Sequence, residues 1–148
     1  MSNSKKLLLA ALAVILAVGA TPLFAELEGT WAGDGRGFIV DPSGIPSDTV
    51  YVWQHWEGTV RDGDFWGEWS DADGHHGKFK GGIILMSITE AYCEGEWLWI
   101  DDSVEPPVIR LRGSFDMIFR YRDDDETCSG NWYYNNVQHG NMRGRRIE

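Results

Sequence analysis

A chain of 148 residues with a formal net charge of −10 suits one domain and can bury a real core. Its 13 basic residues against 23 acidic ones give a surface that repels phosphate backbones, so nucleic acid is excluded as a partner class.

The first 25 residues read as a secretory signal peptide. Lys5 and Lys6 form a basic start, Leu7 to Val18 is an uninterrupted apolar run, and Thr21-Pro22-Leu23-Phe24-Ala25 ends on a small residue before Glu26. Cleavage after Ala20 is the second choice, since Val18 and Ala20 are also small at the right spacing. The competing reading is an uncleaved anchor, but the run is shorter than the roughly 20 residues that span a bilayer. No second apolar run of that length follows, so no stable membrane span is expected after signal removal. The mature part, residues 26–148, is expected to be a single exported domain, periplasmic or secreted. Without Lys5 and Lys6 it keeps 11 basic residues against 23 acidic ones.

Within it no segment holds a 3.6-residue period, whereas alternation recurs between Gly, Asp and Asn breaks. Strands are expected over Glu26–Gly33, Gly35–Val40 and Thr49–Val60, with a Pro/Gly/Ser loop from Asp41 to Asp48. Ile83–Ile88 is apolar on both faces, which predicts deep burial or packing against a neighbour. Glu94–Ile100 follows, then a loop from Asp101 to Pro107. Val108–Tyr121 alternates cleanly: Ile109, Leu111, Gly113, Phe115, Met117, Phe119 and Tyr121 share one face. The acidic run from Asp123 to Glu126 marks a turn, and Cys128–Asn135 and Gly140–Ile147 complete the chain.

A short unit recurs through these strands: Gly, a variable residue, then a large apolar one. Its eight copies begin at Gly29, Gly58, Gly67, Gly77, Gly95, Gly113, Gly130 and Gly140. Gly and ring, two residues apart, lie on one face of a strand. The spacing of most copies, near one or two strand-plus-turn lengths, indicates a degenerate hairpin repeat. The fold class is therefore all-β: an antiparallel meander of about 8–10 strands, curled or closed into a small barrel with rings inside. A three-residue loop Ala72-Asp73-Gly74 sets Trp69 across from Gly77, Phe79 across from Gly67, Glu68 beside Lys78, and Trp66 beside Lys80. In the preceding hairpin a Gly63-Asp64 turn pairs Gly58 with Trp69 and puts Arg61 beside Trp66. The rival loop from Arg61 to Asp64 pairs Gly58 with Gly67 instead.

The 14-residue window Trp56–Trp69 resembles a MORN-type repeat in its aromatic-x-Gly start and glycine spacing. The other units depart from that spacing, so no binding property is carried over, and no family is recognised across the whole chain.

Cys93 and Cys128 each sit two residues before the Gly of a unit. An oxidising compartment permits a bridge, and closing that loop would stabilise by about 3–4 kcal/mol. A bridge is expected provided the strand ends curl together; with a strand between theirs they would lie about 10 Å apart.

Trp31, Trp69, Trp97 and Trp132 fit core filling opposite glycines. Tyr51, Trp53, Trp66 and Tyr133 are expected on the outer face, where a ring flanked by charge can stack on a sugar. Tyr51, Trp53, Arg61, Trp66 and Lys80 are thus the candidate ligand residues, with Trp66 between Arg61 and Lys80 best placed. The acidic turns, including Asp71-x-Asp73-Gly74, complete no calcium-loop signature and read as turn formers. His75 and His76 point to opposite faces of a strand, so no metal site is assigned and no cofactor is called for. No nucleophile elbow, HExxH or Walker loop is present, so no catalytic residue is assigned. The sequence points to an exported, non-enzymatic binding or envelope-associated module whose partner is a glycan or envelope component. The alternatives are a barrel carrying a small hydrophobic ligand inside and a small secreted hydrolase.

Overall fold

The structure is a computed structural model and describes residues 25–41, 48–122 and 126–148. The signal-peptide reading, most of the Asp41–Asp48 loop and most of the Asp123–Glu126 turn lie outside the described residues.

The described residues form ten strands: β1 (Gly29–Gly37), β2 (Ile39–Val40), β3 (Thr49–Val50), β4 (His55–Arg61) and β5 (Asp64–Ser70), then β6 (His76–Leu85), β7 (Glu90–Asp101), β8 (Val108–Arg120), β9 (Thr127–Tyr134) and β10 (Val137–Arg146). Eight of them close into an antiparallel barrel in the order β1-β10-β9-β8-β7-β6-β5-β4, while β2 and β3 pair separately. Each barrel strand carries one copy of the Gly unit, so the repeat counts the staves of the barrel. A meander of this length closes because its glycines let strands approach while the rings fill the middle. Eight staves enclose a space just wide enough for side chains.

The interior is made of those rings. Trp31, Trp69, Trp97 and Trp132 are each at most 1 % exposed, and Phe65, Phe79, Phe115 and Phe119 are buried with them. Trp69 lies across from Gly77, Trp97 across from Gly113, and Trp132 across from Gly140, as the unit requires. Each indole then reaches one strand further and donates to a carbonyl there: Trp69 Nε1 to Leu98 O, Trp97 Nε1 to Tyr133 O, and Trp132 Nε1 to Arg36 O, all at 3.0 Å. The glycine in between is obligatory, because a Cβ at Gly77, Gly113 or Gly140 would stand 2.4–2.5 Å from an indole nitrogen. Edge-to-face contacts link Trp69 to Trp97 (6.3 Å) and Trp97 to Trp132 (5.8 Å). The result is a hoop from β5 through β7 and β9 to β1.

The β5–β6 hairpin has the expected register, with Glu68 opposite Lys78, Trp66 opposite Lys80, and Gly74 in the left-handed region at φ +92°. The β4–β5 hairpin does not. Gly58 faces Gly67, Thr59 faces Trp66, and Arg61 faces Asp64 rather than Trp66. Asp62 (φ 53°) and Gly63 (φ 80°) form the turn, a pair of positive φ angles that matches strand twist. The facing glycines are tolerated because a single ring covers both: Cβ atoms at Gly58 and Gly67 would meet Phe79 Cζ at 2.9 and 2.7 Å.

Further expectations fail, among them the buried position of Ile109, which is 63 % exposed where the β7–β8 register shifts. Thr49–Val60 is not one strand; a turn at Tyr51–Gln54 separates β3 from β4. Ile83–Ile88 is not deeply buried: Ile83 points inward, but Ile84, Met86 and Ile88 are 56–66 % exposed beyond the closed wall.

The cysteines are free and buried, with no bridge. Cys93 on β7 pairs across to Met117 and Cys128 on β9 to Phe119, so β8 runs between them and their levels differ by two residues. Two strand spacings alone, about 10 Å, exceed what a disulfide spans. Burial pushes both thiols up to about 12.

Candidate functional site

Outward-facing residues of the barrel wall are mostly charged or polar, unlike the apolar outer band of a barrel that spans a bilayer. On β4, β5 and β6 the outward row includes Glu57, Glu68 and Lys78, paired in that order across the strands. Glu57 and Glu68 are like charges directly opposite one another, an unfavourable pair that Lys78 offsets from the other side. Further round, Glu96 bonds Arg112 at 2.5 Å.

Trp66 stands in this wall. Its strand position turns it outward between Thr59 on β4 and Lys80 on β6, and the ring is 40 % exposed. It lines two adjoining depressions. One, of about 860 Å³, runs toward β1 and includes His55, Glu57, Thr59, Glu68 and His76. The other, of about 880 Å³, runs toward β8 and includes Lys80, Glu96, Leu98, Ile109 and Arg112. Trp66, Gly67 and Lys78 belong to both, so the ring stands between a depression of mixed lining and one that is mainly apolar. An indole in that setting offers a flat apolar surface with hydrogen-bonding groups on either side.

The five candidate ligand residues separate into two places. Trp66 and Lys80 are neighbours on the outer wall, as expected. Arg61 is on the same face but opposite Asp64, its guanidinium 3.9 Å from Asp62. Tyr51 and Trp53 belong to the turn that caps one end of the barrel. Tyr51 is 38 % exposed, whereas Trp53 is wholly buried, which removes it from any outer platform. The alternation of Thr49–Val60 predicts Trp53 outside; the left-handed backbone at Trp53 (φ 67°) turns it inward instead. Tyr133 is on the outside, but its hydroxyl donates to Asp116 at 2.6 Å, which holds the ring to the wall and raises the phenol pKa. Glu57, Glu68 and Lys78 were not among the candidates, although the hairpin register places them beside Trp66.

The acidic turn after β5 has a structural task. Asp71 has a side chain with no exposed surface. One carboxylate oxygen accepts from the backbone N–H of Asp73 and of His75, at 3.0 and 2.9 Å. The other accepts from Tyr51 N at 3.2 Å and lies 2.6 Å from His75 Nδ1. Donor atoms of Asp71, Asp73 and His75 lie within 4.8 Å of each other, a grouping that fits a metal by distance. Both oxygens of Asp71 are already engaged, and so is His75 Nδ1. The carboxylate therefore serves as a latch between the β5–β6 loop and the capping turn. Asp101, at the far end of β7, is held down to about 2 by bonds from Ser103 and Arg110, which order the start of the β7–β8 loop.

Compared with protein-family models, curated proteins and solved structures, the chain gives no significant match to any.

Proposed function

We propose that the protein is an exported, non-enzymatic binding module that holds a glycan or a related envelope component against its outer wall. The observation that carries this reading is Trp66, a large ring left 40 % exposed at the junction of two depressions, one of mixed lining and one mainly apolar with charged side chains among its lining. Burying a ring of that size is worth about 1.5–3 kcal/mol, and a sugar face on an indole is one way to do so. Lys78, Lys80, Glu57 and Glu68 supply donors and acceptors around it. Export follows from the N-terminal sequence pattern. N-terminal sequencing of protein recovered from its host should begin at Glu26, or at Thr21 under the alternative cleavage.

The test of the platform is affinity electrophoresis and calorimetry against a panel of envelope polysaccharides and peptidoglycan fragments. Trp66→Ala should weaken the selected ligand at least tenfold while leaving the near-ultraviolet circular dichroism of the buried rings unchanged. Equal affinity of the variant, or no binding across the panel, would remove the platform.

A further inference from the structure

Trp53 differs from the other buried indoles in three ways. Trp31, Trp56, Trp69, Trp97, Trp99 and Trp132 all come from barrel strands, but Trp53 is inserted from the capping turn between β3 and β4. Trp53 takes a left-handed backbone, φ 67°, which is uncommon for a bulky side chain. Its Nε1 is, among the described residues, the one buried side-chain nitrogen or oxygen without a hydrogen-bond partner. By contrast Trp31, Trp56, Trp69, Trp97 and Trp132 each donate to a backbone carbonyl. Strain and an orphaned donor are both unfavourable, and here they fall on the same residue.

The seat Trp53 fills is a slot made by strand residues. Phe79 stacks on it at 4.5 Å and 28°, Phe115 lies at 5.0 Å, and Trp56 meets it edge-on at 6.0 Å. A flat bicyclic group is what this slot accommodates. No polar contact of the indole would have to break for it to leave. The turn itself is anchored on either side of the ring: Tyr51 N donates to Asp71, Ala72 N donates to the Gln54 side chain, and Gly35 N donates to Gln54 O. Two exposed rings, Phe38 and Tyr51, lie 5.9 Å apart at this end of the barrel and provide an apolar approach.

We propose that this end of the barrel is the mouth of an internal site for a planar, bicyclic aromatic ligand, with Trp53 as its built-in occupant. The ligand replaces one flat ring by another and releases the left-handed backbone and the unpaired N–H together. This site lies inside the wall from Trp66 and does not depend on the outer platform.

The experiment follows residue 53 directly. Full-length mature protein is labelled with 5-fluorotryptophan, the Trp53 resonance is assigned from Trp53→Phe, and 2-naphthol is titrated in. A saturable shift of the Trp53 resonance toward the solvent-exposed value, retained in Trp66→Ala, is the expected result. Trp53→Gly, whose slot has no occupant to expel, should bind the same probe at least tenfold more tightly. If that variant fails to fold, the wild-type titration decides alone. An unmoved Trp53 resonance at saturating naphthol overturns the proposal and makes Trp53 permanent core, whatever the variant binds.

Discussion

Gly113→Ala tests the central packing rule at one atom. The added methyl would stand 2.1 Å from Tyr133 O and 2.5 Å from Trp97 Nε1, so backbone or indole must move. Overpacking of this kind costs about 1–3 kcal/mol. Displacing the indole also breaks its bond to Tyr133 O and leaves a buried N–H unpaired, a further cost of about 1–3 kcal/mol. The reduced freedom of the unfolded chain gives back about 0.4–1 kcal/mol. The net expectation is a loss of about 2–4 kcal/mol, which lowers the midpoint of a domain this size by about 8–16 °C. Gly82 is the matched control, since a Cβ there meets nothing within 4 Å and its φ lies outside the left-handed region. Gly82→Ala should be neutral or stabilising by up to about 1 kcal/mol. Urea titrations followed by tryptophan fluorescence and far-ultraviolet circular dichroism, with unchanged m-values, measure both. Equal effects at the two glycines, or a Gly113→Ala cost under about 0.5 kcal/mol, would refute the reasoning. A cycle with Trp97→Leu localises the effect: in that background Gly113→Ala should cost less by more than about 1 kcal/mol.

Asp71→Asn should be destabilising by about 2–3 kcal/mol, because an amide cannot accept all four contacts and turns a donor toward one of them; thermal melts and proteolysis near Tyr51 would register the loss. Cys93 and Cys128 should resist a thiol reagent such as dithionitrobenzoate in the native state at pH 8 and react in equal amount once unfolded, in oxidised and reduced preparations alike. Their pH dependence has a definite sign. Folding raises each thiol from about 9 to about 12, so the stability they contribute is complete below pH 9 and declines as pH rises toward 12. Denaturation midpoints should hold between pH 8 and pH 9 and fall from pH 9 to pH 11, and Cys93→Ala/Cys128→Ala should flatten that fall.

How much of this was legible in the sequence depends on the kind of information each feature needs. The β5–β6 register was legible because Trp69, Gly77, Phe79 and Gly67 constrain each other within one hairpin, and the Gly74 turn leaves a single alignment. The β4–β5 register was missed for a physical reason: the ring that makes Gly58 opposite Gly67 acceptable is Phe79, which arrives from a third strand. The same limitation hid the fate of Trp53. In the run from Thr49 to Val60 only Gln54, a polar residue in the inward row, breaks the pattern, and no Gly or Pro marks the turn at Tyr51–Gln54. The turn is held in part by Asp71, 20 residues away, which accepts from Tyr51 N. Trp66 was legible as an outward ring beside Lys80. The neighbourhood that makes it a candidate site was only partly so, since its width depends on closure from β1 to β8.

That closure joins residues far apart in the chain. β1 takes β4 as one neighbour and β10 as the other, with Trp31 opposite Arg146. Loop-closure cost delays such a pairing until nearly all of the chain is present. For a polypeptide threaded through a translocation channel N-terminus first, as proposed here, the earliest stave to emerge would wait for the last. Until then β1 has no β10 and Trp132 has no Arg36 carbonyl, so a partly exported chain lacks the hoop that locks the fold. Under the proposed export, the seam would act as a length check, keeping the chain threadable until β10 has crossed.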